Sequence, residues 1–192
     1  MPIQTQLNVT RSSVRFLADK RRVITRSFVP TNTAHLKSVL DRILGLSELE
    51  VSRLLSEIIA GFSTRHRDVL AVFEAHYNMV SEHLDGQFVS RDRRRLIGAY
   101  FTKEYAVEAA ALFNPSMVPH PDQSGLSPGE CRIMVSLRAT GEGHISSIGF
   151  RSGMIDAIGT ITMEPASRYA TTPETVSVPI FDKRTFDLKL FE

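Results

Sequence analysis

The sequence predicts an α+β protein in which a helical first half gives way to antiparallel strands near Phe113. Three observations carry this expectation. Apolar residues recur at helical spacing through residues 36–84. Pro119, Pro121, Gly125, Pro128 and Gly129 then mark a loop that cannot be helical. Beyond it, Ile133, Val135 and Leu137 alternate with Met134, Ser136 and Arg138, the period of a half-buried strand.

Residues 12–29 mix β-branched residues, charges and Phe, as in Val23-Ile24-Thr25, and Pro30 interrupts the run, so one or two short strands are expected. Thr31 to Thr33 offer caps for a helix through Leu36, Val39, Leu40, Ile43 and Leu44, with Gly45 placed to end it. Ser47 and Glu50 form a capping-box pattern ahead of Val51, Leu54, Leu55, Ile58, Ile59 and Phe62, an unbroken helical stripe. A third helical segment, about 64–84, puts Val69, Val72, Phe73, His76 and Val80 on one face before the Asp85-Gly86 turn. These three share a core in an antiparallel unit. Ser90 caps a fourth helical segment through Leu96, Ile97 and Tyr100, continuing or restarting from Tyr105 to Leu112 until Asn114-Pro115 stops it, because the residue before proline is pushed out of the helical region.

The strands come next. Residues 132–138 and 144–151 are expected to pair as an antiparallel hairpin with Gly141–Gly143 at its tip, followed by a strand from Ile155 to Met163 and by strand segments at Thr175–Val178 and Phe186–Leu190. The loop between Val118 and Glu130 is expected to be exposed, with His120 and Asp122 at the sheet end from which substrate enters. Three regions result: a strand segment over 1–30, a helical region over 31–112 and an antiparallel β region over 113–192. A small sheet with an unpaired edge exposes backbone donors and acceptors that proteins usually cover. Cover by a partner, by the helices or by further chain is therefore expected.

Composition excludes several classes. With 42% hydrophobic residues over 192 positions, the chain can bury a core and is not disordered. The single cysteine, Cys131, cannot form an internal disulfide, and it has no evident partner base that would make it a nucleophile. Arg11, Arg15 and Lys20 break up the N-terminal apolar residues, so no signal peptide and no membrane span is read, and the chain is placed in the cytoplasm. Residues 1–100 carry fifteen Lys or Arg against ten Asp or Glu, and residues 101–192 eight against eleven. The basic clusters at 11–26 and 91–95 have only Phe16 and Phe28 nearby for base stacking, so they read as solvated faces and no nucleic-acid partner is expected. His66, His76 and His83 are ten and seven apart, without a metal-binding pair, and no phosphate-loop pattern is present, so no metal and no cofactor are expected. His76, on an apolar helix face, reads as a core histidine satisfied by a hydrogen bond.

The stretch Ala111-Leu112-Phe113-Asn114-Pro115-Ser116-Met117-Val118, followed by Ile133 to Gly141 (IMVSLRATG) and then His144-Ile145-Ser146-Ser147-Ile148-Gly149, resembles the first blade of glycoside hydrolase family 130. That family opens with an FNPG element, a strand ending in YRA and a strand resembling ISRIG, in this order and at similar spacing. Arg22-Val23-Ile24 to Phe28-Val29-Pro30 is similar to the segment ahead of that blade, and residues 31–112 would be a helical insertion of a longer subgroup. The resemblance implies the start of a five-bladed β-propeller in an enzyme that hydrolyses or phosphorolyses β-mannosides, with an oligosaccharide substrate and, for phosphorolysis, inorganic phosphate as partners. It implies substrate-binding roles for Asn114, Arg138 and His144. Ser116 replaces the usual glycine, and Leu137 stands where an aromatic residue is common. The family's catalytic Asp lies in an EDPR-like motif that these 192 residues do not contain, so no catalytic residue is assigned and the chain is expected to be an inactive N-terminal part of a longer enzyme.

Read from the residues themselves, Arg138 can donate paired hydrogen bonds to sugar hydroxyls or phosphate, and Asn114 offers both a donor and acceptors. A strand-end ion pair and an ordinary Asn-Pro turn are the structural alternatives for these two, and simple exposure is the alternative for His144. Asp122, Glu142 and Asp156 are the carboxylates nearest the strands, without a sign of a raised pKa. The competing reading is a non-enzymatic helical module whose Leu- and Ile-rich helices bind another protein or form a homodimer.

Overall fold

The computed structural model describes residues 11–171. They form an α+β architecture of four helices and two open antiparallel sheets. The order is β1 (Val23–Ser27), α1 (Thr33–Leu44), α2 (Glu48–Phe62), α3 (Val69–Asn78), α4 (Arg91–Tyr100), β2 (Thr102–Ala106), β3 (Ala111–Pro119), β4 (Cys131–Thr140), β5 (Ser146–Ile155) and β6 (Ile161–Met163). The strand segments expected at 175–178 and 186–190 lie outside the described residues. No helix among the described residues is long and apolar enough to cross a membrane.

Local chemistry sets the helix boundaries. Asn32 caps α1, its side chain accepting from the amides of Ala34 and His35. Ser47 and Glu50 close the capping box of α2 reciprocally. Ser90 caps α4 through the Arg93 amide. The apolar stripes converge on one core: Leu36, Leu40 and Ile43 of α1, Val51 and Leu55 of α2, Val69 and Phe73 of α3, and Leu96 and Ile97 of α4. Leu54, Ile58, Phe62 and Val72 pack on it half-buried. Burying each Leu, Ile or Phe contributes roughly 1.5–3 kcal/mol.

Two helix boundaries differ from the sequence expectation. The third segment is helical only over Val69–Asn78, with a separate 3-10 turn at Ser81–Leu84. Residues Tyr105 to Leu112 are not helical at all. The helices end at Tyr100, and Thr102–Ala106 instead pairs antiparallel with β1, from Val23↔Ala106 to Ser27↔Thr102. Alanine is a strong helix former, but local propensity is overridden by tertiary pairing, and here the ribbon with β1 buries Tyr105 and Ala106 instead. Asn114-Pro115 consequently stops no helix. It forms a bulge in β3, between the Phe113↔Arg138 and Ser116↔Ser136 pairs, with Asn114 in the left-handed region at φ 51°.

The second sheet is a four-stranded meander, β3-β4-β5-β6, each strand paired with its sequence neighbour. The β4–β5 hairpin runs from Cys131↔Ile155 to Thr140↔Ser146 with residues 141–145 at its tip, as the alternation predicts. Ile133, Val135, Leu137 and Ala139 face inward, and Phe16, Leu112, Ile155, Ile161 and Met163 pack on that face. The strand expected from Ile155 to Met163 is interrupted, because the Asp156 carboxylate accepts from the amides of Ile158 and Thr160 and turns the chain between β5 and β6. Gly141 lets the two sheets meet. A side chain there would strike the Tyr105 hydroxyl and lie 2.5 Å from the Ala106 carbonyl, and the Tyr105 hydroxyl donates to the Glu142 carbonyl at 3.2 Å.

His76 links α3 to β2 and carries a pH prediction. The Thr102 hydroxyl donates to the Gly98 carbonyl, so Nδ1 of His76 is the donor in its 2.7 Å bond to Thr102 Oγ1, and Nε2 is the nitrogen that titrates. Burial pushes the His76 pKa below the ordinary histidine value. The folded state therefore resists the proton that the unfolded chain accepts. The stability due to neutral His76 is full above the unfolded pKa of about 6.5 and is lost as pH falls through the lower folded pKa. The fall in Tm between about pH 7.5 and 5.5 is expected to be shallower in His76→Gln than in the unaltered protein. Parallel Tm curves, followed by circular dichroism, would refute this.

Candidate functional site

A cavity of about 850 Å3 lies between the segment preceding β1, the end of α2, the inner face of the meander and the chain after β6. The pairing of the sheets explains what lines it. Arg151 opposes Val135 in the β4–β5 register and so shares the inward face. The Val107 amide donates to the Arg22 carbonyl, extending the β1–β2 ribbon by one bond and bringing Glu108 beside Arg22. Gly149, also on the inward face, leaves room there: a Cβ at this position would sit 3.6 Å from Arg151 Nη1 and 3.8 Å from Glu108 Oε1.

Glu108 is only 2% exposed. Its Oε1 accepts a hydrogen bond from Nη2 of Arg151 and lies 3.2 Å from Nε of Arg22. The second contact is an ion pair without hydrogen-bond alignment, since Arg22 Nε and Glu108 Oε2 are both buried with no hydrogen-bond partner among the described residues. Arg22 Nη1 donates to the Ser167 carbonyl and Arg151 Nη1 to the Phe150 carbonyl. The guanidinium groups are thus fixed by backbone on both sides of one carboxylate.

Two more arginines of the lining are engaged elsewhere. Asp19 holds Arg21 through both oxygens at 2.9 Å, and the hydrogen bonds from Arg21 lower the Asp19 pKa to about 2. Glu104 binds Arg65 at 2.9 Å and lies 2.6 Å from His66 Nε2. Burial raises the Glu104 pKa, but the hydrogen bonds and charges of Arg65 and His66 outweigh it, and the carboxyl ends below its ordinary value. Arg15 and Arg168 have no carboxylate partner among the described residues, and Glu164 is the remaining acid of the lining.

No family model, curated protein or solved structure matches this chain. The chemistry must therefore be read from the side chains.

The three residues predicted to bind substrate lie at the hairpin end of the meander, with Arg138 on the face opposite the cavity. Arg138 is exposed on the outer face, donates from Nε and Nη2 to Ser146 Oγ at 3.2 and 3.0 Å, and stacks its guanidinium 5.2 Å from the Phe113 ring centroid. It makes no strand-end ion pair among the described residues. Asn114 follows Phe113 in the bulge, and His144 sits exposed in the hairpin tip at φ 60°. His120 and Asp122, expected near the substrate entrance, lie beyond Pro119, which pairs with Ile133. That is five residues along β4 from Arg138, about 17 Å at ~3.4 Å per residue. The two sets occupy opposite ends of the sheet.

None of the strand carboxylates is poised as a general acid. Hydrogen bonds from Ser124 lower the Asp122 pKa, and backbone hydrogen bonds led by that of Thr160 lower Asp156. Both are turn formers. Glu142 is exposed. Among the described residues no group of three His, Cys, Asp or Glu side chains is arranged to hold a metal.

The Arg22–Glu108–Arg151 cluster was not legible as a site. Arg22 belonged to a cluster read as a solvated face, and Glu108 fell in a segment read as helix. One signal was available: Glu108 is the sole charge in Ala106-Val107-Glu108-Ala109-Ala110-Ala111, and a carboxylate in such a run has no local competitor for a distant arginine.

Proposed function

We propose that the meander is the first blade of a propeller enzyme resembling glycoside hydrolase family 130, and that its hairpin end contributes to a β-mannoside site. The observation that carries this reading is the meander with an outer face left open by the described residues. Four strands paired in chain order are the unit from which propellers are built. On the inner face Ile133, Val135, Leu137 and Ala139 are buried, yet the outer face exposes Val118, Ile148, Phe150 and Met154, with Ile148 69% and Phe150 59% exposed. Blades stack face to face, and such a face suits a neighbouring blade. The motif residues support the reading as well: Arg138 pairs in register with Phe113, next to Asn114.

In this site Arg138 donates to sugar hydroxyls from a guanidinium already oriented by Ser146 and Phe113, and Asn114 supplies an acceptor or donor from the bulge. Neither is a general acid. Inverting cleavage needs one, and a ligand held by one wall of a cleft stays largely solvated. The 192 residues alone are therefore expected not to turn over β-mannobiosides, with or without phosphate, whereas a version extended through the downstream reading frame is expected to do so. Arg138→Ala in the extended protein should lower kcat/KM roughly tenfold or more, the loss expected for a charged hydrogen-bond donor. Turnover by the 192-residue chain that disappears in Arg138→Ala would refute the single-blade assignment. An extended protein inert toward all β-mannobiosides would refute the mannoside assignment.

A further inference from the structure

The cavity beside the buried arginine pair points to a second site, one that does not depend on the mannoside reading. Arg22, Glu108 and Arg151 form a nearly dry cluster, with side chains 15%, 3% and 11% exposed. It holds two guanidinium groups and one carboxylate, an excess of one positive charge. Removing a charge from water without a counter-charge is expensive, so buried charges are normally compensated nearby. No further carboxylate among the described residues forms an ion pair with this cluster: Asp19, whose charge reaches Arg22, is held by Arg21, Glu104 is held by Arg65 and His66, and Glu164 makes no ion pair with the arginines. The rest of the cavity lining deepens the imbalance through Arg15 and Arg168.

We infer that the cavity of Arg15, Arg22, Arg151 and Arg168 is a binding site for a small ligand carrying an oxyanion, a phosphate ester or a carboxylate. The oxyanion supplies the missing negative charge, and planar guanidinium groups match either kind of oxygen pair. The volume of about 850 Å3 is that of a small-molecule site, far larger than one bare ion requires. Phe16, Leu112 and Met163 add an apolar wall for the rest of the ligand. Arg22 and Arg151 are held by the Ser167 and Phe150 carbonyls, so the charges are positioned before the ligand arrives.

Isothermal titration of the full chain with inorganic phosphate, mannose 6-phosphate, glucuronate and neutral mannose tests this. The charged sugars are expected to bind and mannose is not. Phosphate ester alone or glucuronate alone would each support the site and identify its oxyanion. Arg151→Gln is the direct variant, but it also unpairs Glu108 and risks the fold. Arg15→Gln and Arg168→Gln alter exposed residues, and each is expected to weaken the bound oxyanion about tenfold. Failure of every oxyanion to bind, or affinities unchanged in both exposed-residue variants, would overturn the inference.

Discussion

Gly98→Ala is expected to unfold the helical unit or to lower its urea midpoint severely. Gly98 lies in α4 directly against the backbone of Phe73 in α3. A Cβ there would sit 2.6 Å from the Phe73 carbonyl carbon and closer still to its oxygen. The obstacle is main chain and cannot rotate away, and Phe73 itself is fully buried between the helices. Overpacking a core typically costs about 1–3 kcal/mol, and a backbone clash belongs at or beyond the top of that range. Against a total stability of about 5–15 kcal/mol, such a loss removes a large part of the folded population's margin. Gly61→Ala supplies the opposite sign. That glycine is exposed near the end of α2 with nothing within 4 Å of its added Cβ, so alanine should raise stability by roughly 0.5–1 kcal/mol. Equal urea midpoints for Gly98→Ala and the unaltered protein would show that α3 and α4 do not approach this closely.

Arg93→Met is the second large effect expected. The residue is 8% exposed, and its guanidinium donates to the carbonyls of Ile43, Leu44 and Leu46 and to the Glu48 carboxylate. It thereby caps the C-terminal carbonyls of α1 and ties the α1–α2 turn to α4. Methionine keeps much of the apolar stem and removes every donor. A buried carbonyl left unpaired costs roughly 1–3 kcal/mol; the Ile43 carbonyl keeps the Leu46 amide at 3.3 Å, but the part-buried Leu44 and Leu46 carbonyls keep no other partner among the described residues, so a loss of about this size is expected in chemical denaturation. Glu48→Gln is the contrasting variant. Glu48 is solvent-facing, water replaces what it loses, and its substitution should move the midpoint far less. If the two variants proved equally mild, Arg93 would be a surface residue, as its neighbours in the basic run imply.

Local chemistry made much of the fold legible. Helix starts at Asn32, Ser47 and Ser90 depend on contacts within three residues, and the hairpin between β4 and β5 depends on a two-residue alternation beside a glycine-bearing turn. Such signals are complete within a short window. The segment Tyr105–Leu112 was misread for the converse reason: its small residues are compatible with helix, and only pairing with β1, some eighty residues earlier, makes 102–106 a strand.

By itself the sequence determined the α+β class, the apolar helical stripes and the β4–β5 hairpin, because each is written in periodicities of two or 3.6 residues, whereas β2 and the start of β3 lie where the residues read as helix. Only the tertiary structure decided which charges are buried. Arg93 looks like Arg91 and Arg94 in the sequence, yet its guanidinium lies under the turn between α1 and α2. Arg22, Glu108 and Arg151 meet across 129 positions because the ribbon and the meander converge on one cavity. A charge carries no record in its own neighbourhood of the partner that will desolvate it, and so the arginine-lined cavity follows from the packing of distant elements alone.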